Sequence, residues 1–554
     1  MDKVRTYLNT HTNPPVFLIS LAMILALVGW GVIAPKQLGD TADDVKTWIS
    51  TYFGWWYLAS VTFFLIFTIF LLLSPFGRVR LGKDHEQPRW GLWPWFSMLF
   101  TAGMGIGLVF YGVAEPIFHY GTFHAEGTLG VAGDEAAAAR QAMRMTIFHW
   151  GLHPWAVYIV VGLSMGYFCF RYDLPLRPAS AFYPLIGKRI YGWAGHIIDI
   201  LAVFGTLFGL ATSLGIGATQ INAGLHQVFG IPEGAKWQVG IIAVITAIAV
   251  CSVMLGVDKG IRRLSVFNMY TAIALALVVF IAGPTLFILN FAVQSTGEYL
   301  QSLTITSLRA WAFSEEEGQG WLNTWTLFYW GWWIAWSPFV GMFIARVSRG
   351  RTIREFILGT LLAPVGASIA WFCIFGGSAL YNIVEGGNEA LSAAGTNDAL
   401  FVLLQQLELA QPVVIALSLL AIMVVAIFFA TSSDSGSLVV DMLTNGGDPY
   451  PIWQQRLFWA VMEGAIAAVL LVAGSMAAAG NPLSALQTAS ILSGLPFSVV
   501  LVFMCWGLLR QLRNEDLSTI PEASPSPPHP LSVDEPEDTQ KQWAEGELQE
   551  SGTG

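Results

Sequence analysis

The sequence predicts an all-α polytopic membrane protein with twelve transmembrane helices. Of its 554 residues, 55% are hydrophobic and only 12% are charged, about half the charged share of an ordinary soluble domain. Apolar stretches of about 20 residues, the length of a membrane helix, recur from Pro15 to Leu509 with few polar interruptions. The residue alternation of an outer-membrane barrel is absent. A mean hydropathy of +0.58 excludes a soluble enzyme, and a net charge of -10 gives no case for a nucleic-acid partner.

The first span, near 15–35, follows a polar start and runs into Ile33-Ala-Pro35. It is longer than a signal-peptide core and lacks a small-residue cleavage site, so it is expected to be retained. Apolar windows set against charged breaks place the others near 54–76, 91–117, 144–169, 191–226, 237–257, 264–291, 321–345, 356–382, 410–440, 457–479 and 484–509. Cytoplasmic loops retain cations, which tests this count. With the N-terminus inside, the inner segments hold 21 of the 27 Lys and Arg residues, so both termini are expected on the cytoplasmic side. Four of these cations, Arg346, Arg349, Arg351 and Arg354, crowd one inner loop, where positive-inside topology accounts for them and lipid or gate contact is the alternative.

Between the spans, a segment near 295–312 is too polar to cross and is expected to lie along the outer interface. Cys169, Cys251, Cys373 and Cys505 all fall in apolar segments and read as small buried hydrophobes. After Leu509 the composition turns to Pro, Ser, Glu and Asp, too poor in apolar residues to fold on a core. Residues 514–554 hold one cation, Lys541, so anionic lipid should repel them, and removing everything after Arg513 should leave transport unchanged. The division is a segment 1–90 with two peripheral spans, a unit 91–291, an outer helix and loop 292–320, a unit 321–509, and a disordered tail 510–554.

Two units of five spans, 3–7 and 8–12, would enter the membrane from opposite sides. Both open on helix breakers: Gly103, Gly105 and Gly107 in span 3, and Gly331, Ser337-Pro338 and Gly341 in span 8. Interrupted helices in corresponding positions of inverted halves point to a transporter site at the bilayer midplane. Close helix packing is the plainer reading of the same glycines.

Span 8 carries four tryptophans in seven positions. At 100° per residue Trp332, Trp333 and Trp336 share one face, while Trp330 points elsewhere. Trp150, Trp155 and Tyr158 share a face of span 4. Interfacial anchoring explains Trp55, Trp56, Trp90, Trp93 and Trp95, but not indoles at mid-membrane depth. Facing aromatic rings attract a weakly hydrated quaternary ammonium, which has no hydrogen bond to donate and suits a ring cage better than carboxylates.

These residues carry a resemblance. Gly103-Met-Gly-Ile-Gly-Leu-Val-Phe-Tyr-Gly-Val-Ala-Glu-Pro116, His149-Trp-Gly-Leu-His-Pro-Trp155 and Phe328-Tyr-Trp-Gly-Trp-Trp-Ile-Ala-Trp-Ser-Pro-Phe-Val-Gly-Met-Phe343 resemble the betaine/choline/carnitine transporter family over about residues 12–510. The resemblance implies a LeuT-type inverted repeat, a homotrimer in a bacterial cytoplasmic membrane, no cofactor, and secondary transport of an onium compatible solute, glycine betaine foremost. Its partners are then the onium substrate, a coupling ion and membrane lipid. The family's substrate box falls on Trp150, Trp155, Tyr158 and Trp333, with Trp332 and Trp336 adjoining.

A zwitterion moved against its gradient needs a coupled ion, and sodium wants hard oxygen ligands. The resemblance implies a sodium site on Thr431 and Ser432, completed by carbonyls of Thr101 and Met104. A second site would fall on Thr206 and Phe339, but Leu210 replaces the hydroxyl one turn on. Proton-coupled choline carriers of the family place an acid where Gly107 stands, and sodium-independent carnitine-type exchangers an arginine where Met269 stands. Outside the family, a channel would want charged rings or carbonyl filters. A membrane metalloenzyme could use His149 and His153, spaced i,i+4, but no acid lies in that turn. Glu115, an acid inside span 3, is by default a functional candidate, and near the outer helix end the plainer reading is that it faces water or caps a neighbour.

Overall fold

The computed structural model describes residues 8–103, 105–125, 129, 131, 134–255, 261–449 and 452–518, apart from the side chains of 97, 100–103, 255, 261–263, 315 and 316. The tail from 519 onward, and with it the expectation of disorder there, lies outside the described residues. The longer helices are α1 (Pro14–Ile33), α2 (Pro35–Leu73), α3 (Leu92–Gly103), α4 (Ile106–His124), α5 (Glu135–Trp150), α6 (Leu152–Arg171), α7 (Trp193–Phe229), α8 (Ala235–Leu255), α9 (Ile261–Ala282), α10 (Thr285–Ser307), α11 (Thr326–Arg346), α12 (Ile353–Val384), α13 (Gln411–Thr444), α14 (Trp453–Met476) and α15 (Ser484–Leu512).

Among the described residues, ten helical stretches are long and apolar enough to cross a membrane, α5 and α6 together forming one of them. The other two expected spans fall on α3/α4 and on α11. The first is divided near its middle, and the second is diluted by Trp, Tyr and Gly. Where a span is expected a helix stands, but three boundaries move, one of them the start of span 4, where α5 already begins at Glu135 rather than near 144. α2 begins at Pro35, so most of the expected outer loop before residue 54 is helical. α9 ends at Ala282 rather than near 291, because Gly283-Pro284 intervenes and proline has no N–H to continue the ladder. The outer helix α10 therefore starts about ten residues earlier than its polar residues indicate.

The two helix-breaker expectations divide. α3 ends at Gly103 and α4 starts after Gly105, so span 3 is interrupted as its glycines indicate, although Gly107 already lies inside α4. Span 8 is not interrupted: α11 runs unbroken through Ser337-Pro338. Pro338 leaves the Ile334 carbonyl without its backbone donor, and Ser337 Oγ takes that place at 2.7 Å. The glycines of α11 serve close packing instead. A Cβ on Gly331 would lie 2.8 Å from Ile491 Cα, and one on Gly341 would lie 2.5 Å from Val161 Cβ.

α11 is the innermost helix, packed by α6, α7 and α15, with nearly every side chain buried. The lipid-facing apolar surface lies on peripheral helices such as α1, α8 and α9, with exposed Ile33, Val244 and Ile281. Cys251 is also exposed there, unlike the other three cysteines. The arginine cluster that follows α11 is spent on the protein itself. Arg351 donates to Trp90 O at 2.7 Å and lies 3.9 Å over the ring of buried Trp95. Arg354 reaches Leu72 O and Ser74 O, and Arg349 pairs with Glu86 at 2.8 Å. Beside them Glu515, just past α15, is 8% exposed and holds Arg171 at 2.7 Å and Tyr167 Oη at 2.6 Å. The first residues after Arg513 are thus fastened to α6.

Candidate binding site

The amphipathic arithmetic that put three indoles on one face of α11 has a direct counterpart in space. Trp332 and Trp333 stack at 4.8 Å with 13° between planes, and Trp336 follows one turn on, 6.2 Å from Trp332 and 6.5 Å from Trp333. Across from them, α5 ends at Trp150 and α6 starts after Gly151, a position with no room for a side chain because a Cβ would lie 2.5 Å from Ile147 O. This break lets Trp150 and the Trp155/Tyr158 face meet the same wall. Trp150 stands edge-on to Trp333 at 4.9 Å, Tyr158 lies 6.3 Å from Trp333 and 6.5 Å from Trp336, and Trp155 meets Tyr158 at 5.5 Å.

All six rings are 4% exposed or less. Trp330, on the other face, stacks on His153 at 5.4 Å and is separate from the box. Two ring neighbours were not legible from the sequence: Phe372 of α12, 5.4 Å from Trp150, and Tyr111 of α4, 6.1 Å from Trp150. Two polar atoms of the box, Tyr158 Oη and Trp336 Nε1, are buried with no hydrogen-bond partner.

Glycines in α4 bring the backbone against this box. At Gly107 a Cβ would lie 2.6 Å from Trp332 and 2.7 Å from Trp150, so the position accepts no side chain while the rings stay in place. At Gly105 a Cβ would stand 3.5 Å from Trp336 and 3.9 Å from Ser432 Oγ. The interruption between α3 and α4 therefore meets both the box and the hydroxyl run of α13. Thr431 Oγ1 bonds back to Ile427 O at 2.8 Å and Phe428 O at 3.2 Å. Met104 and the side chain of Thr101 lie outside the described residues. Thr206 Oγ1 is buried without a partner, and Phe339 packs on Trp336 at 5.7 Å. Leu210 lies against α13, where a Cβ on Gly436 would meet its Cδ1.

The structure corrects the placing of Glu115. Rather than facing water, it is 0% exposed. Its Oε1 meets His149 Nδ1 at 2.6 Å and His119 Nε2 at 3.1 Å, and its Oε2 accepts from Trp150 Nε1 at 2.7 Å and from Tyr329 Oη. These three side chains converge as metal ligands can, but 2.6 Å is a hydrogen-bond separation, shorter than the roughly 3.3 Å between two donors 2.0 Å from one tetrahedral zinc. His153 takes no part, since its Nε2 bonds Ser307 Oγ at 3.0 Å. The i,i+4 relation of Glu115 to His119 was the available signal. A second buried polar group went unread: Asp434 pairs with Arg456 at 2.6 Å, and beside it Glu463 bonds Ser433 Oγ at 3.0 Å. Each is an ionisable group inside an apolar helix, a functional candidate by default.

Comparison with known proteins gives the family. A BCCT, betaine/carnitine/choline family transporter model matches residues 15–517. The chain is 44% identical over 524 residues to a glycine betaine transporter of Acinetobacter baylyi, covering 93% of this chain and 76% of that protein. It is 43% identical over 500 residues to the glycine betaine transporter OpuD of Bacillus subtilis, covering 90% and 94%. To the osmo-dependent choline transporter BetT2 of Acinetobacter baylyi it is 40% identical over 523 residues, covering 93% and 74%. The family consists of carriers and not enzymes, which settles the metalloenzyme alternative. A helical, multi-pass chain with a buried aromatic box, matched by the family model along nearly its whole length, belongs to the betaine/carnitine/choline transporter family.

Proposed function

We propose that this chain imports glycine betaine or a closely related onium zwitterion by sodium symport, binding the quaternary ammonium head in the box of Trp150, Trp155, Tyr158 and Trp333, with Trp332 and Trp336 adjoining. The observation that carries the reading is the convergence of these six buried rings from α5, α6 and α11. A desolvated cation over such faces gains about 2 kcal/mol per contact. Trp150 and Trp333 touch at 4.9 Å, so seating a head group between those two requires them to part. Tyr158 Oη and Trp336 Nε1 are donors without a protein partner on the same box, suited to the carboxylate of a zwitterion.

The coupling ion is proposed to sit where Ser432 faces the interruption between α3 and α4, with Thr431 beside it in the chain and carbonyls of Thr101 and Met104 completing it. Thr206 and Phe339 are retained as a weaker second position, because Leu210 offers packing and not oxygen. The twelve-span count, the inverted repeat of spans 3–7 and 8–12, the homotrimer and the cytoplasmic-membrane location with both termini inside belong to the same proposal. They rest on family membership and on the inner segments holding 21 of 27 cations.

The runner-up is proton-driven choline uptake, favoured by the choline-transporting relative. The contact distances at Gly107 oppose it, because no carboxylate fits there without displacing Trp332 and Trp150. Uptake of labelled glycine betaine into proteoliposomes, with unlabelled glycine betaine, choline, carnitine, dimethylsulfoniopropionate and ectoine as competitors, decides between them. Sodium-driven accumulation that glycine betaine competes with best supports the proposal. Choline uptake driven by a proton gradient and indifferent to sodium contradicts it.

A further inference from the structure

We propose that Glu115 is the positioning residue of the aromatic box, an inference that rests on the box being the substrate site. The two indoles that meet edge to face at 4.9 Å, Trp150 and Trp333, are both anchored at this one buried carboxylate. Trp150 is held directly, its Nε1 donating to Glu115 Oε2 at 2.7 Å. Trp333 is held through one intermediary: its Nε1 donates to the backbone carbonyl of His149 at 3.0 Å, and the His149 ring meets Glu115 Oε1 at 2.6 Å.

The node spans three helices. Glu115 and His119 come from α4, His149 and Trp150 from the end of α5, and Tyr329 from α11. Thr326 Oγ1 of α11 fixes the other His149 nitrogen at 2.9 Å. Indole is an obligate donor, and a carboxylate oxygen accepting from both Trp150 and Tyr329 carries no proton of its own. Hydrogen bonds to such an oxygen are about twice as strong as neutral ones. An aromatic ring has its attractive face in one plane only, so an indole free to rotate loses most of its pull on a cation. An N–H that donates into an anion also pushes electron density into the ring, which deepens the same attraction. Within the node only Trp150 belongs to the proposed box, so the effect of Glu115 on binding passes through the orientation of the two indoles.

Glutamine at position 115 keeps the shape but removes the charge, and its NH2 meets the histidine pair only if both rings switch tautomer. In proteoliposomes of the full chain, we expect Glu115→Gln to raise the KM for glycine betaine about tenfold or more while the maximal rate changes by less than about twofold. In a Trp150→Phe background, where the N–H is already absent, the same change should raise KM by less than about threefold, because the two residues share one interaction. Tyr329→Phe removes a single hydroxyl donor and keeps the ring. It serves if Glu115→Gln does not insert, and should raise KM about threefold with an unchanged maximal rate. An unchanged KM in Glu115→Gln or Tyr329→Phe overturns the proposal, as do equal Glu115→Gln factors in both backgrounds. Trp333→Leu separates this from the wider reading. If it raises KM while the node variants do not, only the positioning role fails; if it too leaves KM unchanged, the box is not the site.

Discussion

The indole of Trp333 donates to the backbone carbonyl of His149 at 3.0 Å, tying the aromatic wall of α11 to the last turn of α5 beside Trp150. One tryptophan thus belongs to the ring box and to its frame. Trp330, three residues earlier, packs on His153 and Phe148 at 5.4 and 5.2 Å and meets the His149 ring edge-on at 6.0 Å, outside the ring box.

That difference gives the first prediction. Trp333→Leu should lower substrate affinity at least about tenfold in protein that still inserts, since one desolvated cation–π contact exceeds the ~1.4 kcal/mol this represents. Trp330→Leu should change affinity little. Equal losses from both, measured as KM in proteoliposomes, would mean that the tryptophans act through packing.

Gly107 is the second test. Alanine there places a Cβ 2.6 Å from Trp332 and 2.7 Å from Trp150, an overpacking that typically costs about 1–3 kcal/mol. Gly107→Ala should raise KM about tenfold, and Gly107→Asp should abolish betaine uptake without creating proton-driven choline uptake. Appearance of that choline activity would show that the rings yield to an acid.

The ion site is probed by Thr431→Ala combined with Ser432→Ala. Removing two hard oxygen ligands should raise the sodium concentration for half-maximal uptake about tenfold or more while leaving the inserted yield intact. Sodium titration of initial uptake rates reads this directly, and an unchanged midpoint would take α13 out of the ion site.

Glu515 makes a prediction about the stretch that follows α15. Burial pushes its carboxyl upward, but hydrogen bonds from Arg171 and Tyr167 outweigh this and hold it below the ordinary glutamate value. A carboxyl with a lowered folded value stabilises above the unfolded value, and that stability is lost as pH falls through the folded one. Truncation after residue 518 should leave transport and Tm unchanged. Truncation after Arg513, or Glu515→Gln, should lower Tm at pH 7, with the difference vanishing below the ordinary carboxylate range. Thermal unfolding at both pH values checks it, and an unchanged Tm at pH 7 after the shorter truncation would show that the contact contributes nothing.

The helices were legible because twenty-residue apolar runs and the side preference of cations are signals carried by many residues at once. The indole face of α11 was legible from helical periodicity alone, since Trp332, Trp333 and Trp336 repeat within one arc whatever packs against them. Two things were not legible. Pro338 and Gly331 look like helix breakers in the sequence, yet Ser337 Oγ covers the freed carbonyl and Ile491 uses the space beside Gly331, both of which are tertiary facts. Glu115 reads as an acid near a helix end. Its four partners come from three helices, and only His119, one turn away, is a neighbour in sequence.

The measurement that tests the central claim most directly is equilibrium binding of glycine betaine against its tert-butyl analogue, in which carbon replaces the nitrogen and the shape is kept without the cation. Tryptophan fluorescence of the purified protein can follow both titrations. If the buried rings read the charge of the head group, glycine betaine binds more than about tenfold tighter than the uncharged-head analogue, as a single buried cation–π contact requires. Equal affinities for the two would contradict a cation-reading box.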